Sequence, residues 1–382
     1  MRSVPRVVVL RPQSPFAISV DRERHLTPSL DHVPGSTLRG ALATAWRRRY
    51  GEDAAFARIF LSGRNRFPFC WPARGGRTRP APRSARTCRK HGGSGERGHG
   101  ILDELLSGQD TRPAATEPPT CPVCQARLAP YRGLIGRDAK ARVGVPRRAT
   151  RMHVGIDRRR GSARPGVLFG HEVVLPEFEE GGALELRGTG WFEQEDLAAL
   201  ERLVADEQEI LVGRSRSSGL GRMTVGFEDV PDQGQAVRDR LEQWVRESAP
   251  TDRARGTTCA VTLVTPAIVL DDALRWSFDL AREVAARTGI EAEVVTQRIA
   301  TGVVRGWSLG GGISRTAEPA IAEGSTVLLR MNAGVDETAA ALESLEREGV
   351  GLRRDEGFGE IVVADTAPLA LRMPATTAGG TR

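Results

Sequence analysis

The sequence contains the same glycine-rich pattern at two distant places. Residues 213–221 and residues 351–359 each read glycine, five residues, glycine, an apolar residue and glycine. Each pattern follows a helix-like segment and runs into a β-branched, strand-like one, at residues 222–228 and 361–364. A loop repeated in this way at the ends of two half-chains predicts one structural unit that is used twice.

Strand-like and helix-like patterns follow one another in the same order in both halves. In the first half the order is strand, helix, a long insertion, strand, helix and strand, and the second half repeats it. This is close to the βαββαβ order of a ferredoxin-like unit. We therefore predict an α+β protein with two tandem ferredoxin-like domains, at residues 1–230 and 256–373. A linker helix is predicted within residues 231–255, and residues 374–382 are predicted to be a disordered tail.

Positive charge is concentrated in two segments of the first half. Residues 64–100 hold ten Arg or Lys against one acid, and residues 131–165 hold eleven against two, whereas the whole chain has a net charge of only +7. Such clustering is typical of a protein that binds a polyanion. Residues 63–135 are rich in Gly, Pro and Arg and predict an insertion with one short helix at residues 101–106. Residues 140–176 predict a basic β-hairpin.

The two glycine loops and the hairpin supply the candidate phosphate-binding residues. Glycines let a backbone approach a ligand closely, and arginines beside them can bind phosphate through two N–H groups. Neither loop is a Walker A or a Rossmann motif, because each precedes a strand and no Gly-Lys-Ser/Thr occurs. In the second loop, Asp355 and Glu356 place phosphate binding in doubt. The RNA-binding candidates are Arg147, Arg148, Arg151, His153, Arg214, Ser215, Arg216, Ser217, Gly219, Gly221, Arg353 and Arg354.

Four residues of the insertion have the spacing of a structural zinc site. Cys121 and Cys124 are two residues apart, as in a zinc knuckle, and Cys88 and His91 form a second pair at the same spacing. Three thiolates and one imidazole would complete a tetrahedral Zn²⁺ site with no open position for catalysis. His99 and Cys70 are alternative fourth ligands, and unliganded thiols in a flexible insertion are the other interpretation. The five cysteines are an odd number and do not predict a disulfide framework.

Residues 34–42, Pro-Gly-Ser-Thr-Leu-Arg-Gly-Ala-Leu, resemble the signature near the start of CRISPR RAMP proteins. The two glycine loops resemble the terminal glycine-rich loop of the same superfamily. Within it, the chain looks most like the type III-D subunit with two RNA-recognition-motif-like domains, which caps the 5′ handle of the CRISPR RNA (crRNA). The runs 88–91, 99–103 and 121–124 add to this resemblance. It implies crRNA, other RAMP subunits and the large subunit of the effector complex as partners, and it adds Ser36 and Arg39 as RNA-binding candidates.

Two other classes of function remain open at this stage. Some RAMP proteins cleave RNA with a histidine, so that a metal-independent endoribonuclease is the main alternative, with His25, His32, His153 and His171 as candidate acids or bases. A zinc-ribbon protein that binds duplex DNA is less favoured, because no recognition helix carries the basic residues. No apolar run is long enough to span a membrane, and we expect no membrane partner and a cytoplasmic location.

Overall fold

The first half is built on an antiparallel sheet with two helices. The computed structural model describes residues 3–19, 26–93, 98–105, 120–137, 143–157, 159–231, 236–247, 256–308 and 313–365; the predicted tail and His25 lie outside them. The four main strands are β1 (Ser3–Pro12), β2 (Trp71–Ala73), β3 (Glu185–Glu193) and β4 (Arg222–Asp229). Their spatial order is β4-β1-β3-β2, and a short strand, Ile210–Leu211, extends the sheet beyond β4.

Two helices connect these strands. Helix α1 (Gly35–Tyr50) lies between β1 and β2 in the chain, and α2 (Gln194–Glu207) follows β3 directly. The apolar residues of α1 recur at helical spacing and are buried, among them Leu38, Leu42 and Trp46. A short helical segment, Ala54–Phe56 followed by the π-helical turn Ala57–Leu61, occupies the place of the second predicted helix of this region.

The second half repeats this arrangement and adds a helix. Its strands, β5 (Thr257–Leu263), β6 (Ala292–Arg298), β7 (Thr326–Met331) and β8 (Ile361–Val363), have the spatial order β8-β5-β7-β6, and its helices are α3 (Val237–Glu247), α4 (Leu280–Thr288) and α5 (Val335–Glu348). We predicted α3 as part of a linker, but Val237, Leu241 and Trp244 are buried in the core of the second half. Helix α3 therefore belongs to that half.

The two glycine loops have the same backbone conformation. Ser215 and Arg353 are both left-handed with φ of 55°, and each begins a 3₁₀ turn, Arg216–Ser218 or Arg354–Glu356. A Cβ on Gly221 would lie 2.0 Å from the carbonyl oxygen of Val212, and the corresponding distance for Gly359 and Val350 is 1.8 Å. No side chain fits in such a gap, which explains the last glycine of each loop.

The segment at residues 63–135 contributes more to the fold than we predicted. Trp71–Ala73 is β2 of the main sheet; the sequence did not reveal it because three residues that include a proline carry no periodic signal. The predicted helix at 101–106 is wrong, since Ile101–Asp103 is a strand that pairs with Ala85–Cys88. The remaining strands of the segment are Thr78–Pro80 paired with Leu134–Gly136, and Leu128–Pro130 on the other edge of Ala85–Cys88.

Several arginines of the first basic segment are buried inside the protein, and two of them, Arg66 and Arg79, bond to the second half. Arg66, Arg77 and Arg79 are only 8%, 7% and 1% exposed. Arg77 donates a hydrogen bond to Thr189 Oγ1, and Arg79 forms an ion pair with Asp365 of the second half. The charge count suggested a polyanion-binding surface here. These three side chains are buried and bonded within the protein, so they do not contribute to such a surface.

A long β-hairpin begins in the second basic segment. Its strands, Pro146–Asp157 and Ser162–Phe178, pair antiparallel, and the short strand Leu26–Thr27 pairs with the outer edge of the second. Val173 packs with Ala17 and Leu220, which places one face of the hairpin against the first glycine loop.

Candidate RNA-binding cleft and metal cluster

A cleft of about 1030 Å³ lies between the two halves. One wall consists of the start of α1 and the first glycine loop. The other consists of Pro266, Phe358 and part of the segment between β6 and β7, namely Val303–Gly306 with Ser314, Arg315 and Ala317. Six of the predicted RNA-binding residues line the cleft: Ser36, Arg214, Ser215, Arg216, Ser217 and Arg353.

The first glycine loop places two arginines at this cleft. Arg214 is half-buried and donates a hydrogen bond to Ser19 Oγ over 2.9 Å. Arg216 is also half-buried, and its side chain forms no hydrogen bond or ion pair within the described part of the chain. The first turn of α1, on the same wall, contains no acidic residue, so that the positive end of the helix dipole is not offset there. This wall is suited to an anionic ligand.

The second glycine loop has a different role, because its acids bind arginines of both halves. Asp355 and Glu356 form ion pairs with Arg39 of α1, and Glu356 also pairs with Arg353. The backbone N–H of Phe67 donates to the Asp355 carbonyl over 2.9 Å. Burial alone would raise the pKa of Glu356, but Arg353, Arg315 and Arg39 hold it below its ordinary value. The loop therefore joins the halves, and the charges of Arg39 and Arg353 are largely neutralised.

The other predicted RNA-binding residues lie outside the cleft. On the hairpin, Arg147 pairs with Glu177 and Arg148 with Asp31 and Glu172. Arg151 is exposed and His153 is half-buried. Arg354 lies 3.8 Å from a carboxylate oxygen of Glu348, and Gly219 and Gly221 shape the first loop without lining the cleft.

Two arginines of the cleft were missed by the sequence analysis. Arg305 and Arg315 line it from the second half, and Arg315 lies 3.0 Å from Glu356. They belong to the segment between β6 and β7, which occupies the same position in the second half as the basic hairpin does between β2 and β3. The internal repeat is therefore the signal that could have identified them.

The candidate catalytic histidines are scattered. His32 lines the cleft, with Nδ1 3.2 Å from Asp31 Oδ1 and its ring centroid 4.1 Å from that of Trp71. His153 and His171, one on each strand of the hairpin, stack on each other with ring centroids 4.8 Å apart. His25 lies outside the described residues.

Four side chains of the insertion converge on one point. The sulfur atoms of Cys88, Cys121 and Cys124 and a nitrogen of His99 all lie within 4.8 Å of one another. Cys88 and Cys124 sulfurs are 3.6 Å apart, and His99 Nδ1 is 3.3 Å from Cys121 Sγ. Bonds of about 2.3 Å to a tetrahedral Zn²⁺ would separate its ligands by roughly 3.8 Å. The donor set and its spacing therefore fit zinc.

The fourth residue of this cluster is His99, one of the alternatives that the spacing left open. A turn in which Gly92 N–H donates to the Cys88 carbonyl leaves His91 on the exposed side, where it stacks on His99. Local desolvation, His99 and Lys90 lower the pKa of His91. Cys70 is buried in the first core, paired through its backbone with Val33, and burial raises its pKa. Neither His91 nor Cys70 is part of the cluster.

Two family models match this chain. The model of the RAMP superfamily matches residues 10–224, and that of the CRISPR-associated protein (Cas_Cmr3) family matches residues 123–366. Each match covers more than half of the chain. The chain belongs to the RAMP superfamily and, within it, to the Cas_Cmr3 family, and is thus a type III CRISPR RAMP subunit.

Solved structures show only distant similarity. A chain of the type III-B Cmr-beta complex bound to cognate target RNA and AMPPnP has a TM-score of 0.43 and 12% identity, over 84% of this chain and 86% of that one. A chain of a Cas6 product complex has a TM-score of 0.37 and 12% identity, over 94% and 100% of the two chains. No curated protein sequence matches significantly. None of the described helices is both long and apolar enough to cross a membrane.

Proposed function

We propose that this chain is a non-catalytic subunit of a type III effector complex that binds the 5′ handle of crRNA in the cleft between its halves. The observation that carries the proposal is the position of the first glycine loop, which forms one wall of the cleft together with the start of α1 and presents Arg214 and Arg216 to it. Each half is proposed to be a ferredoxin-like domain, in keeping with its strand order. The type III-D subtype stays a prediction.

The charges of the cleft suggest how RNA would be held. Arg214 and Arg216 would bind phosphates on one side, and Arg305 would approach from the other. Ser36 and Ser217 offer hydroxyl groups to sugar or phosphate oxygens. Because His32, Phe69 and Phe358 are the few rings that line the cleft among the described residues, recognition would depend mainly on backbone and shape. Arg151 and His153 would extend the contact to the hairpin, whereas Arg39 would act indirectly by fixing the second loop.

We further propose that Cys88, His99, Cys121 and Cys124 hold a structural Zn²⁺. A zinc ion would hold together a module whose described residues otherwise form only two small apolar clusters of their own. In this role the metal supplies folding free energy and no chemistry. Other RAMP subunits and the large subunit of the complex are the proposed protein partners.

The RNA site can be tested by changing the first loop. If six phosphates are contacted, log K should fall against log salt with a slope of roughly −4, at about −0.7 for each phosphate of single-stranded RNA. Arg214→Ala with Arg216→Ala should weaken the binding of crRNA and reduce the slope to roughly −3. A charge-matched control is Arg238→Ala with Arg275→Ala, because both side chains are well exposed and lie away from the cleft. Equal affinity and slope for the two double variants would rule out the proposed role of the loop.

If the chain were an endoribonuclease, it would cleave precursor crRNA, whereas the proposed RNA-binding subunit would not. We expect the purified chain to leave precursor crRNA intact with or without Mg²⁺, because His32 is the only histidine lining the cleft among the described residues and its Nδ1 faces Asp31. Gel analysis of the incubated RNA is the measurement. Cleavage that disappears in His25→Ala, His32→Ala or His153→Ala would establish the alternative.

A further inference from the structure

A second group of basic side chains lies between the hairpin and the first glycine loop. Arg151 and His171 are directly opposite each other across the hairpin, and His153 stacks on His171 with an angle of 9° between the rings. His171 is on the same strand face as Val173, two residues away, and Val173 packs on Ala17 of the layer that carries the first loop. His171 is thereby brought close to the Arg214 and Ser19 pair.

The side chain of His171 is buried although one of its ring nitrogens lacks a hydrogen-bond partner in the described part of the chain. Its side chain is only 4% exposed, and its Nε2 has no hydrogen-bond partner among the described residues. A buried polar atom without a partner destabilises the folded protein. A ligand bound between the hairpin and the first glycine loop would supply the missing partner.

The charges around His171 indicate the kind of ligand. Burial lowers the pKa of His171 most, followed by His153, Arg214 and Arg151, so that the neighbours that act on it are all basic side chains. The strand on its other side contributes Thr27, which is directly in register with it. Arg148 and Glu172 of the hairpin pair with each other. An anion would relieve the repulsion among these groups.

We propose that Arg151, His153, His171 and Arg214 form a separate phosphate subsite, where one RNA phosphate bridges the hairpin and the first glycine loop. The subsite rests on the RNA-binding function proposed above and extends it beyond the cleft. Arg214 is shared between the two, since it lines the cleft and acts on His171. An imidazolium in this position donates a charge-assisted hydrogen bond to a phosphate oxygen.

A phosphate in this subsite links RNA binding to protonation. In the free protein the pKa of His171 lies below its ordinary value, and a bound phosphate raises it because an anion favours the charged imidazolium. Binding therefore takes up a proton between these two pKa values. Affinity increases as pH falls, by up to about tenfold per pH unit for each proton taken up.

The test compares RNA affinity at several pH values in the full-length protein. The probe is a fluorescent single-stranded oligouridylate of roughly 12 nucleotides, measured between about pH 5.5 and pH 8, where histidine titrates and the RNA backbone does not. We expect the wild type to bind more tightly at low pH. The variant His153→Asn with His171→Asn should lose most of this increase, and its salt slope should be smaller by about 0.7, equivalent to one phosphate contact.

The controls separate this subsite from the main cleft. Arg238→Gln should keep the full pH dependence, because it removes an exposed charge on α3. If His171→Asn does not fold, His153→Asn alone provides the comparison. Binding by the wild type that does not change with pH, or a pH dependence retained in the histidine variants, would overturn the subsite while the proposed function stands. A protein that binds no RNA at any pH would instead contradict the proposed function itself.

Discussion

Replacing Cys121 by serine should release the zinc ion and loosen the contact between the two halves. Structural zinc contributes about 10–16 kcal/mol of apparent binding free energy in zinc-finger peptides, and this becomes folding free energy when no site exists without the metal. The wild type should contain about one zinc per chain, as expected for one tetrahedral site. Elemental analysis and limited proteolysis measure the two effects.

Loss of zinc should also weaken the contact between the two halves, because the chain runs from the metal cluster straight into that contact. His99 lies two residues before the start of the strand Ile101–Asp103, which is followed by Glu104 and Leu105. Glu104 pairs with Arg298 of the second half, and Leu105 is buried in the core of that half. From sequence alone we would expect zinc loss to expose residues 64–135 as one unit. The structure predicts instead that residues 81–130 become protease-sensitive while β2 stays protected in its sheet.

Variants of the other candidate ligands provide the controls. His99→Ala should lose zinc, whereas His91→Ala and Cys70→Ala should retain it because neither residue belongs to the cluster. Loss of zinc on His91→Ala with retention on His99→Ala would contradict the ligand set. A metal-free wild type with a protected insertion would contradict the site altogether.

Asp365→Asn should lower the free energy of unfolding by about 3–5 kcal/mol, the usual cost of leaving one member of a buried ion pair without its partner. Arg79 is 1% exposed and pairs with Asp365 across the two halves, and its Nε and Nη1 atoms have no hydrogen-bond partner among the described residues. Burial, followed by Arg137 and Arg240, lowers the pKa of Arg79. The carboxylate of Asp365 is therefore needed to keep a charged Arg79 in this position. Urea unfolding monitored by fluorescence is the measurement.

An exposed ion pair serves as the matched control. Glu293 is 71% exposed where it pairs with Arg330, and Glu293→Gln should cost less than about 1 kcal/mol. Arg79→Met combined with Asp365→Leu should be less harmful than Asp365→Asn alone, since it removes both charges together. A similar small loss for Asp365→Asn and Glu293→Gln would show that the buried pair does not stabilise the contact between the halves.

The repeat was predictable from the sequence because it depends on local backbone requirements. Gly221 and Gly359 occupy positions where any Cβ would collide with a carbonyl oxygen, so that the glycine spacing survives in the sequence and can be recognised. The patterns of the helices and of the longer strands also identified most of the elements. By contrast, β2 was missed because it is short, contains Pro72 and is defined by its pairing with β3.

The parts of the site that could not be predicted depend on contacts between distant residues. Asp355 seemed to weaken a phosphate-binding loop, but it pairs with Arg39, which precedes it by 316 residues. The choice between His91 and His99 depends on a turn at Gly92 and not on spacing. Arg79 contributed to a basic segment in the sequence, and only its pairing with Asp365 shows that it lies between the halves.

Sequencing the RNA that co-purifies with the native complex, after crosslinking it to this chain, tests the central claim most directly. The account predicts crRNA with one uniform 5′ end, and crosslinks from the nucleotides nearest that end to the first glycine loop around Arg214 and Arg216. The Arg214→Ala and Arg216→Ala variant should lose these crosslinks. Crosslinks only to the 3′ part of the crRNA, or RNA with heterogeneous 5′ ends, would contradict the proposal that the cleft holds the 5′ handle.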